Sequence, residues 1–190
     1  ISYKIVANIP YYITGAIIRK SLESSIQPSL IIQKDQKEVG ERVALKDNKH
    51  SLLSLSIWLF AQAKIVLNVP RESFQPVPKV DSVVIKIDSI NKNFFLDIQT
   101  KLGEAGNLNL TSVYEKVFNV IRAGFAHKRK KLISNLNEYL EPVSKSIDVK
   151  SVFRENNLDE NVRAEDLSLD EWKNLSTKII TQVHTSTQND

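Results

Sequence analysis

The stretch Val6-Ala7-Asn8-Ile9-Pro10-Tyr11-Tyr12-Ile13-Thr14 decides how the chain is read. Ile5-Val6-Ala7 is a short apolar run of the kind that ends a buried strand. An Asn, an apolar residue, a Pro and a Tyr follow at once. Pro10 holds Ile9 extended and removes one backbone donor. The chain therefore leaves the strand as a stiff loop that gathers an amide side chain, bare carbonyls and an aromatic ring. Such a set suits the exocyclic amine of a nucleobase. An adenine amino group is a poor nucleophile because its lone pair is delocalised into the ring. Two acceptors that take its N–H bonds favour a pyramidal nitrogen with the lone pair available. The Asn8 side-chain oxygen and the carbonyl of Ile9 or Pro10 can be those acceptors. The Tyr11 ring can stack on the base, a contact worth roughly 1–3 kcal/mol. The same tetrapeptide also makes a plain strand-to-helix connection, with Asn8 as a cap and Tyr11 in the core, and the loop alone does not choose between the two.

The bulk numbers narrow the classes. With 190 residues, 42% of them hydrophobic and 25% charged, the chain is globular and suits one domain or one plus a small appendage. No apolar run approaches the roughly 20 residues of a membrane span. There is no Cys, which excludes disulfides and thiolate metal sites. His50, His127 and His184 have no ligand spacing, so no metal is expected. A net charge of +4 and a pI near 9.2 favour a polyanionic partner. The glycines, at 15, 40, 103, 106 and 124, form neither G-x-G-x-x-G nor G-x-x-x-x-G-K-[ST], so no glycine cradle for a phosphate or cofactor is present. Since there is also no Met, the chain is expected to be the C-terminal part of a longer protein.

Outward from the opening loop, residues 3–8 read as a strand and Thr14 to about Ser25 as a helix with Ile17, Ile18 and Leu22 on one face. Leu30-Ile31-Ile32 is a short buried strand. Gln36 to about Leu45 is an amphipathic helix, and Ser51 to Gln62 a buried one. Ala63–Val69 and Lys79–Asp88 are strands. The Pro-rich loop between them makes them an antiparallel pair at a sheet edge. Strand signals stop near Ser89–Asn93, where the domain boundary is placed. Helices are expected over 94–102, from a cap at Thr111 or Ser112, over 128–140 and over 144–155. A last helix opens at the capping box Ser168-Leu169-Asp170-Glu171. Residues 185–190 are expected to be disordered.

Two further stretches bear on chemistry. Phe74 lies on the stiff loop Phe74-Gln75-Pro76-Val77-Pro78-Lys79-Val80-Asp81-Ser82. Opposite Tyr11 it would form a slot for a planar base. As a purely structural residue it would plug the core. Arg122-Ala123-Gly124-Phe125-Ala126-His127-Lys128-Arg129-Lys130-Lys131 is the densest positive charge in the chain, with no acid interleaved. Read as a helix start, its cations oppose the helix dipole, which points to a use beyond the fold. Displacing counterions from a phosphate backbone is such a use, and a solvated helix face is the bland alternative. Arg163-Ala164-Glu165-Asp166-Leu167-Ser168-Leu169 reads as a loop into the capped helix.

Taken in order, these stretches resemble the adenine N6-dimethyltransferases of small-subunit rRNA, the KsgA-like group. The resemblance rests on Asn8-Ile9-Pro10-Tyr11, Gln36-Lys37-Glu38-Val39 with Glu41-Arg42, and Ser54-Leu55-Ser56. It continues through Phe74-x-Pro76-x-Pro78-Lys79-Val80-Asp81-Ser82, Gly124-Phe125 with the basic run to Leu132, and Arg163-Ala164-Glu165 with Leu167-Ser168. It implies an α/β fold: residues 1–89 as the C-terminal half of a Rossmann-like methyltransferase sheet, then a small all-α domain over 93–184 that docks on rRNA. It implies S-adenosylmethionine as cofactor, small-subunit rRNA within the immature subunit as partner, and a monomeric cytoplasmic protein. The reaction implied is dimethylation of N6 of two adjacent adenines near the 3′ end of that rRNA. In site terms, Asn8 with the carbonyl of Ile9 or Pro10 holds the amine, Tyr11 and Phe74 sandwich the base, and Asn8 borders the cofactor. Arg122, His127, Lys128, Arg129, Lys130 and Lys131 contact RNA. The family's glycine-rich cofactor loop has no counterpart here, so the chain by itself is expected to bind cofactor poorly. Gly15 and Gly40 replace residues usual in the family. Three alternatives stay open: the related large-subunit enzymes of macrolide resistance, a non-catalytic relative of the mitochondrial transcription factor kind, and a metal-free RNA-binding helical module.

Overall fold

Alternating apolar residues build the sheet of the first part of the chain. Its strands, in spatial order, are β1 (Lys4–Ala7), β2 (Leu30–Gln36), β4 (Ser82–Asp88) and β3 (Gln62–Val69). β1 runs parallel to β2, and β4 is antiparallel to both β2 and β3. The edge pair expected around the Pro-rich loop is therefore β3 and β4. The computed structural model describes residues 2–8, 11–45, 48–103, 108–143 and 147–188, with the side chains of 11, 12, 187 and 188 outside that description. It divides into two compact units, Ile1–Lys92 and Asn93–Asp190.

One face of the sheet is the core of the first unit. Ile31, Gln33 and Asp35 of β2 stand opposite Ile87, Ile85 and Val83 of β4, and all six are buried. Helix α2 (Lys37–Val43) packs close on this face. A Cβ built on Gly40 would lie 2.2 Å from Val83 Cγ2, so only glycine admits this approach. Glycine inside a helix costs about 1 kcal/mol against alanine, and here the contact it permits offsets that cost. Helix α3 (Leu52–Trp58) starts at a reciprocal cap: the Ser54 amide donates to Ser51 Oγ at 3.1 Å and the Ser51 amide to Ser54 Oγ at 2.7 Å. Its last residue donates from Trp58 Nε1 to the Val43 carbonyl at 2.8 Å, which ties α3 to the end of α2. Helix α1 (Tyr11–Glu23) buries Thr14, Ile18 and Leu22, a stripe at i, i+4 and i+8.

Several boundaries differ from the sequence reading. α1 begins at Tyr11 rather than Thr14, since a Pro just before the first turn does not oppose a helix. β2 continues past Ile32 to Gln36, because Gln33 and Asp35 occupy core positions that an apolar count passes over. α3 stops at Trp58 rather than Gln62, and β4 begins at Ser82 rather than Lys79.

The described elements of the second unit are helices and a 3-10 turn: α4 (Asn93–Leu102), α5 (Leu110–Gly124), α6 (Leu132–Leu140), α7 (Val149–Glu155), the turn Ala164–Asp166, and α8 (Leu169–Gln188). Trp172 of α8 is fully buried at the centre. Its ring stacks on Phe125 with centroids 5.9 Å apart, and a Cβ on Gly124 would come within 2.6 Å of it and 2.8 Å of Leu132. The pair Gly124-Phe125 thus forms the seat of the tryptophan. α5 is capped by Asn109 rather than Thr111 or Ser112; its Oδ1 accepts the Ser112 amide at 2.9 Å. α6 starts at Leu132, not Lys128, so the basic run precedes the helix. α7 is capped by Asp148, and the earlier part of the expected 144–155 helix, residues 144–146, lies outside the described residues. The Ser168–Glu171 capping box forms: the Ser168 amide donates to the Glu171 carboxylate at 2.7 Å, and the Glu171 amide to Ser168 Oγ at 3.3 Å. α8 continues to Gln188, so 185–188 are helical where a disordered tail was expected. The Thr185 and Ser186 hydroxyls donate to the carbonyls of Thr181 and Gln182. Residues 189–190 are outside the described set.

Gly40→Ala is expected to destabilise the protein by about 1–3 kcal/mol through overpacking. Combined with Val83→Ala it should cost less than the sum of the two single changes, because the second removes the atom the first strikes. Urea unfolding of the four proteins checks this.

Candidate active site and nucleic-acid interface

Asn8 is exposed and directly follows β1. The last register pair of β1 with β2 is Ala7 with Gln33, so Asn8 stands level with Lys34 on the neighbouring strand. Ligands of α/β sheets bind at such carboxyl ends of parallel strands. Lys34 projects from the sheet face opposite Gln33 and Asp35, as strand alternation requires. Its ammonium lies 4.6 Å from the centroid of the Phe74 ring. Phe74 is half-buried and outside the core, at the end of a short 3-10 turn, Arg71–Ser73. The structure therefore brings an amide, a cation and an aromatic ring to one end of the sheet. Ile9 and Pro10 lie outside the described residues, as does the Tyr11 side chain; the backbone of Tyr11 opens α1.

Beneath this end sits a buried acid. Asp35 is 1% exposed. Its Oδ1 accepts the Gln36 amide at 2.8 Å and its Oδ2 accepts Gln33 Nε2 at 3.3 Å. Burial holds the carboxyl above its ordinary value of 3.8, while the Gln36 amide, Gln33 and the charge of Lys34 work in the opposite direction.

The basic run forms the connection between α5 and α6, with Lys131 as the N-cap residue of α6. The acid that the run lacks in sequence is supplied in space by Glu138 of α6. Its carboxylate pairs with Lys130 at 3.0 Å and lies 3.4 Å from His127 Nε2. These two neighbours, Lys130 first, hold the Glu138 carboxyl below the usual range. Lys131 donates to Asn161 Oδ1 and Arg122 to Asn119 Oδ1, both neutral acceptors. Lys128 and Arg129 are exposed and have no ion-pair partner among the described residues. In Arg163-Ala164-Glu165, Ala164 is buried in the 3-10 turn leading to α8, as a structural role demands.

Sequence reasoning missed Lys34, Asp35 and Glu138. A strand continuing at period two through Ile31, Gln33 and Asp35 is the signal that finds the first two. Glu138 lies eight residues after Lys130, and only the turn between α5 and α6 makes them neighbours. Among the described residues there is no metal-ligand cluster and no helix long and apolar enough to cross a membrane.

A family model described as ribosomal RNA adenine dimethylase matches residues 1–182. The ribosomal RNA small subunit methyltransferase A of Dehalococcoides mccartyi strain BAV1 is 36% identical over 175 residues, 92% of this chain and 55% of that protein. The protein of the same name from Fusobacterium nucleatum is 34% identical over 172 residues, 89% of this chain and 58% of its own. The chain thus spans about half the length of these relatives. Among solved structures, a dimethyladenosine transferase from Plasmodium falciparum superposes with a TM-score of 0.70 at 24% identity, covering 95% of this chain and 69% of its own. The 23S rRNA methyltransferase ErmE gives 0.62 at 18% identity, covering 94% and 66%. At these identities the two structures speak for the fold.

Asp35 yields a pH prediction with a definite sign. The folded chain keeps the Asp35 proton to higher pH than the unfolded chain, so the contribution of this one group is fully present below pH 3.8 and is lost as pH rises through the raised value. Asp35→Asn is therefore expected to melt at a higher temperature than the parent at neutral pH. The gap should close below pH 3.8, where the acid is neutral in both states. Gln33 can rotate its amide to accept from the new Nδ2. Circular-dichroism melts across pH check both statements.

Proposed function

Because the chain belongs to the ribosomal RNA adenine dimethylase family, we propose that it supplies the target-base loop and the RNA-docking helices of a small-subunit rRNA methyltransferase. The reaction is transfer of methyl groups from S-adenosylmethionine to N6 of two adjacent adenines near the 3′ end of that RNA. The observation that carries this reading is the register that sets Asn8 level with Lys34, whose ammonium holds the Phe74 ring. Small-subunit rather than large-subunit rRNA is favoured by the names of the relatives at 36% and 34% identity.

The residues divide the work. Asn8 Oδ1 and the carbonyl of Ile9 or Pro10 accept the two N–H bonds of the adenine amine and turn its lone pair outward. Tyr11 and Phe74 stack on the two faces of the base and hold it out of its helix, which offsets the unstacking cost. Alignment of an acceptor pair with an attacking nitrogen lowers the barrier chiefly by orientation. Cofactor fit is partial: Asn8 is exposed at the carboxyl end of a parallel strand, where the reacting end of such a ligand belongs, and the sequence offers no glycine-rich turn for the nucleotide end. When bound, S-adenosylmethionine supplies an electrophilic methyl group on a sulfonium. The rest of its site falls to the part of the relatives that this chain does not span.

In the second unit, Lys128 and Arg129 neutralise phosphates directly, and Lys131 and Arg122 are held only by neutral amides and join them. His127 and Lys130 are already engaged by Glu138. The six residues therefore differ in weight.

Two experiments test the proposal. Methyl transfer from labelled S-adenosylmethionine to unmethylated small ribosomal subunits is measured for this chain fused to the portion of the Dehalococcoides relative that the match leaves uncovered. Transfer is expected, with Asn8→Ala lowering kcat/KM by about 100-fold or more. RNA binding without any transfer moves the reading to a non-catalytic binding module. For docking, Lys128→Ala and Arg129→Ala should each reduce the slope of log affinity against log salt by about 1, whereas Lys130→Ala should change it less. Filter binding of small-subunit rRNA across a salt series reads the slopes.

A further inference from the structure

We propose that Lys34 and Asp81 are positioning residues that together set the Phe74 ring beside Asn8. The inference rests on the reading of Phe74 as a base-stacking ring. Residues 70–81 form an arm between the last pair of β3 with β4, Val69 with Ser82, and that same pair closes its base. The arm carries no strand pairing of its own. What fixes it at the base is Asp81, which joins three pieces of backbone. Its Oδ1 accepts the Arg71 amide at 3.1 Å, and its own carbonyl accepts the Lys37 amide at 3.0 Å. Its Oδ2 lies 3.9 Å from Lys37 Nζ. One residue thereby ties the start of the arm, the end of the arm and the first residue of α2.

A tie at the base leaves the tip free to swing. The second tie is at the tip, where Lys34 holds the ring from below. Lys34 sits on the strand adjacent to β1 and level with Asn8, so a ring attached to it is delivered to the side of the sheet end where Asn8 emerges. A guanidinium or ammonium over one ring face leaves the other face for a planar base.

Between the arm and α2 lies an open cleft of about 660 Å³ lined by Lys37, Glu38, Arg71, Glu72, Lys79 and Asp81, among others. Its charges largely compensate one another: Arg71 pairs with Glu72 at 2.9 Å and Lys37 with Asp81. Such a lining selects neither anion nor cation, and it is what a braced hinge presents. The unequal roles of the two residues follow from this. Asp81 acts through Oδ1 and its backbone carbonyl, both of which Asn supplies; what Asn loses is the exposed 3.9 Å approach of Oδ2 to Lys37, a contact of little weight. Lys34 acts through a cation on a long stem, so Arg can replace it and Met cannot.

The test uses the whole chain and tryptic scission after Arg71 and Lys79, followed by mass spectrometry, with circular-dichroism midpoints recorded for every variant. Asp81→Ala is expected to speed scission about tenfold, the loss of one well-placed hydrogen bond with its partner left open. Asp81→Asn should stay within about twofold of the parent, and Lys34→Met should speed scission about threefold while Lys34→Arg does not. In the methylating fusion, Asp81→Ala and Lys34→Met should lower kcat with little change in KM for S-adenosylmethionine, and Asp81→Asn and Lys34→Arg should restore it. Unchanged scission in Asp81→Ala, or equal scission in Asp81→Ala and Asp81→Asn, overturns the role of Asp81. Unchanged scission and kcat in Lys34→Met overturn that of Lys34. If the parent fusion transfers nothing, the methyltransferase reading fails, while the scission series still decides whether the arm is braced.

Discussion

The parallel pairing of β1 on β2 is the constraint on which the candidate site depends. Alternation in a strand has period two, so a slip of one residue would turn every side chain to the other face. In the observed register Ile31, Gln33 and Asp35 enter the core, and Lys34 is thrown to the opposite side at the level of Asn8. The same alternation that buries an acid beneath the site raises a cation beside it. Neither residue can be moved without the other. The ring of Phe74 then follows Lys34, not the Pro-rich arm alone, because the arm has no pairing to direct it.

Close packing of α2 extends this constraint to the base of the arm. Gly40 brings the helix onto Val83, and the first residue of that helix, Lys37, meets the carbonyl of Asp81. Val83 and Asp81 are two residues apart on one stretch, so the contact that seats the helix and the contact that anchors the arm share a short rigid segment. A bulkier residue at 40 would push α2 away and lengthen the second contact as well. In the second unit Gly124 does the equivalent for Trp172, but there the result is a core and not a site. The two glycines show that departure from helix propensity marks close approach, and that the neighbour decides what the approach is for.

Much of this was legible in the sequence and some was not. Strands, helices and the order of the edge pair follow from apolar period and from Pro. Asn8 stood out as a candidate because Asn-x-Pro-Tyr gathers an amide, bare carbonyls and a ring on one stiff loop, a pattern that a plain strand-to-helix connection shares. Phe74 stood out as a candidate because Pro on either side leaves an aromatic no regular element to join, and the structure places it outside the core, as a plug would not be. The length of β2 was not legible, since Gln33 and Asp35 satisfy each other's hydrogen bonds inside the core and so escape an apolar count. Nor were the starts of α5 and α6. Asn109 caps α5 from two residues before Thr111, and the cations taken as the first turn of α6 lie ahead of it. Lys34 and Glu138 act through partners 40 and 8 residues away, at separations that no local pattern encodes.

The basic run shows how a line of like charges is accommodated in a fold. Five cationic or imidazole side chains in the first turn of a helix would oppose its dipole. The chain avoids this by keeping 125–131 out of the helix and beginning α6 at Leu132. A connection of this kind still has carbonyls to satisfy. Buried Asn135 does so, donating from Nδ2 to the carbonyls of Gly124 at 2.6 Å and His127 at 3.2 Å. The backbone of the run is thus shaped by a neutral amide from behind, and one exposed acid, Glu138, steadies His127 and Lys130. Exposed ion pairs of that sort contribute little to stability. Among the described residues Lys128 and Arg129 pair with no acid, so the described fold places no demand on their charge. In the docking role proposed for the second unit, phosphate spaced along a nucleic-acid backbone supplies the charge that faces them.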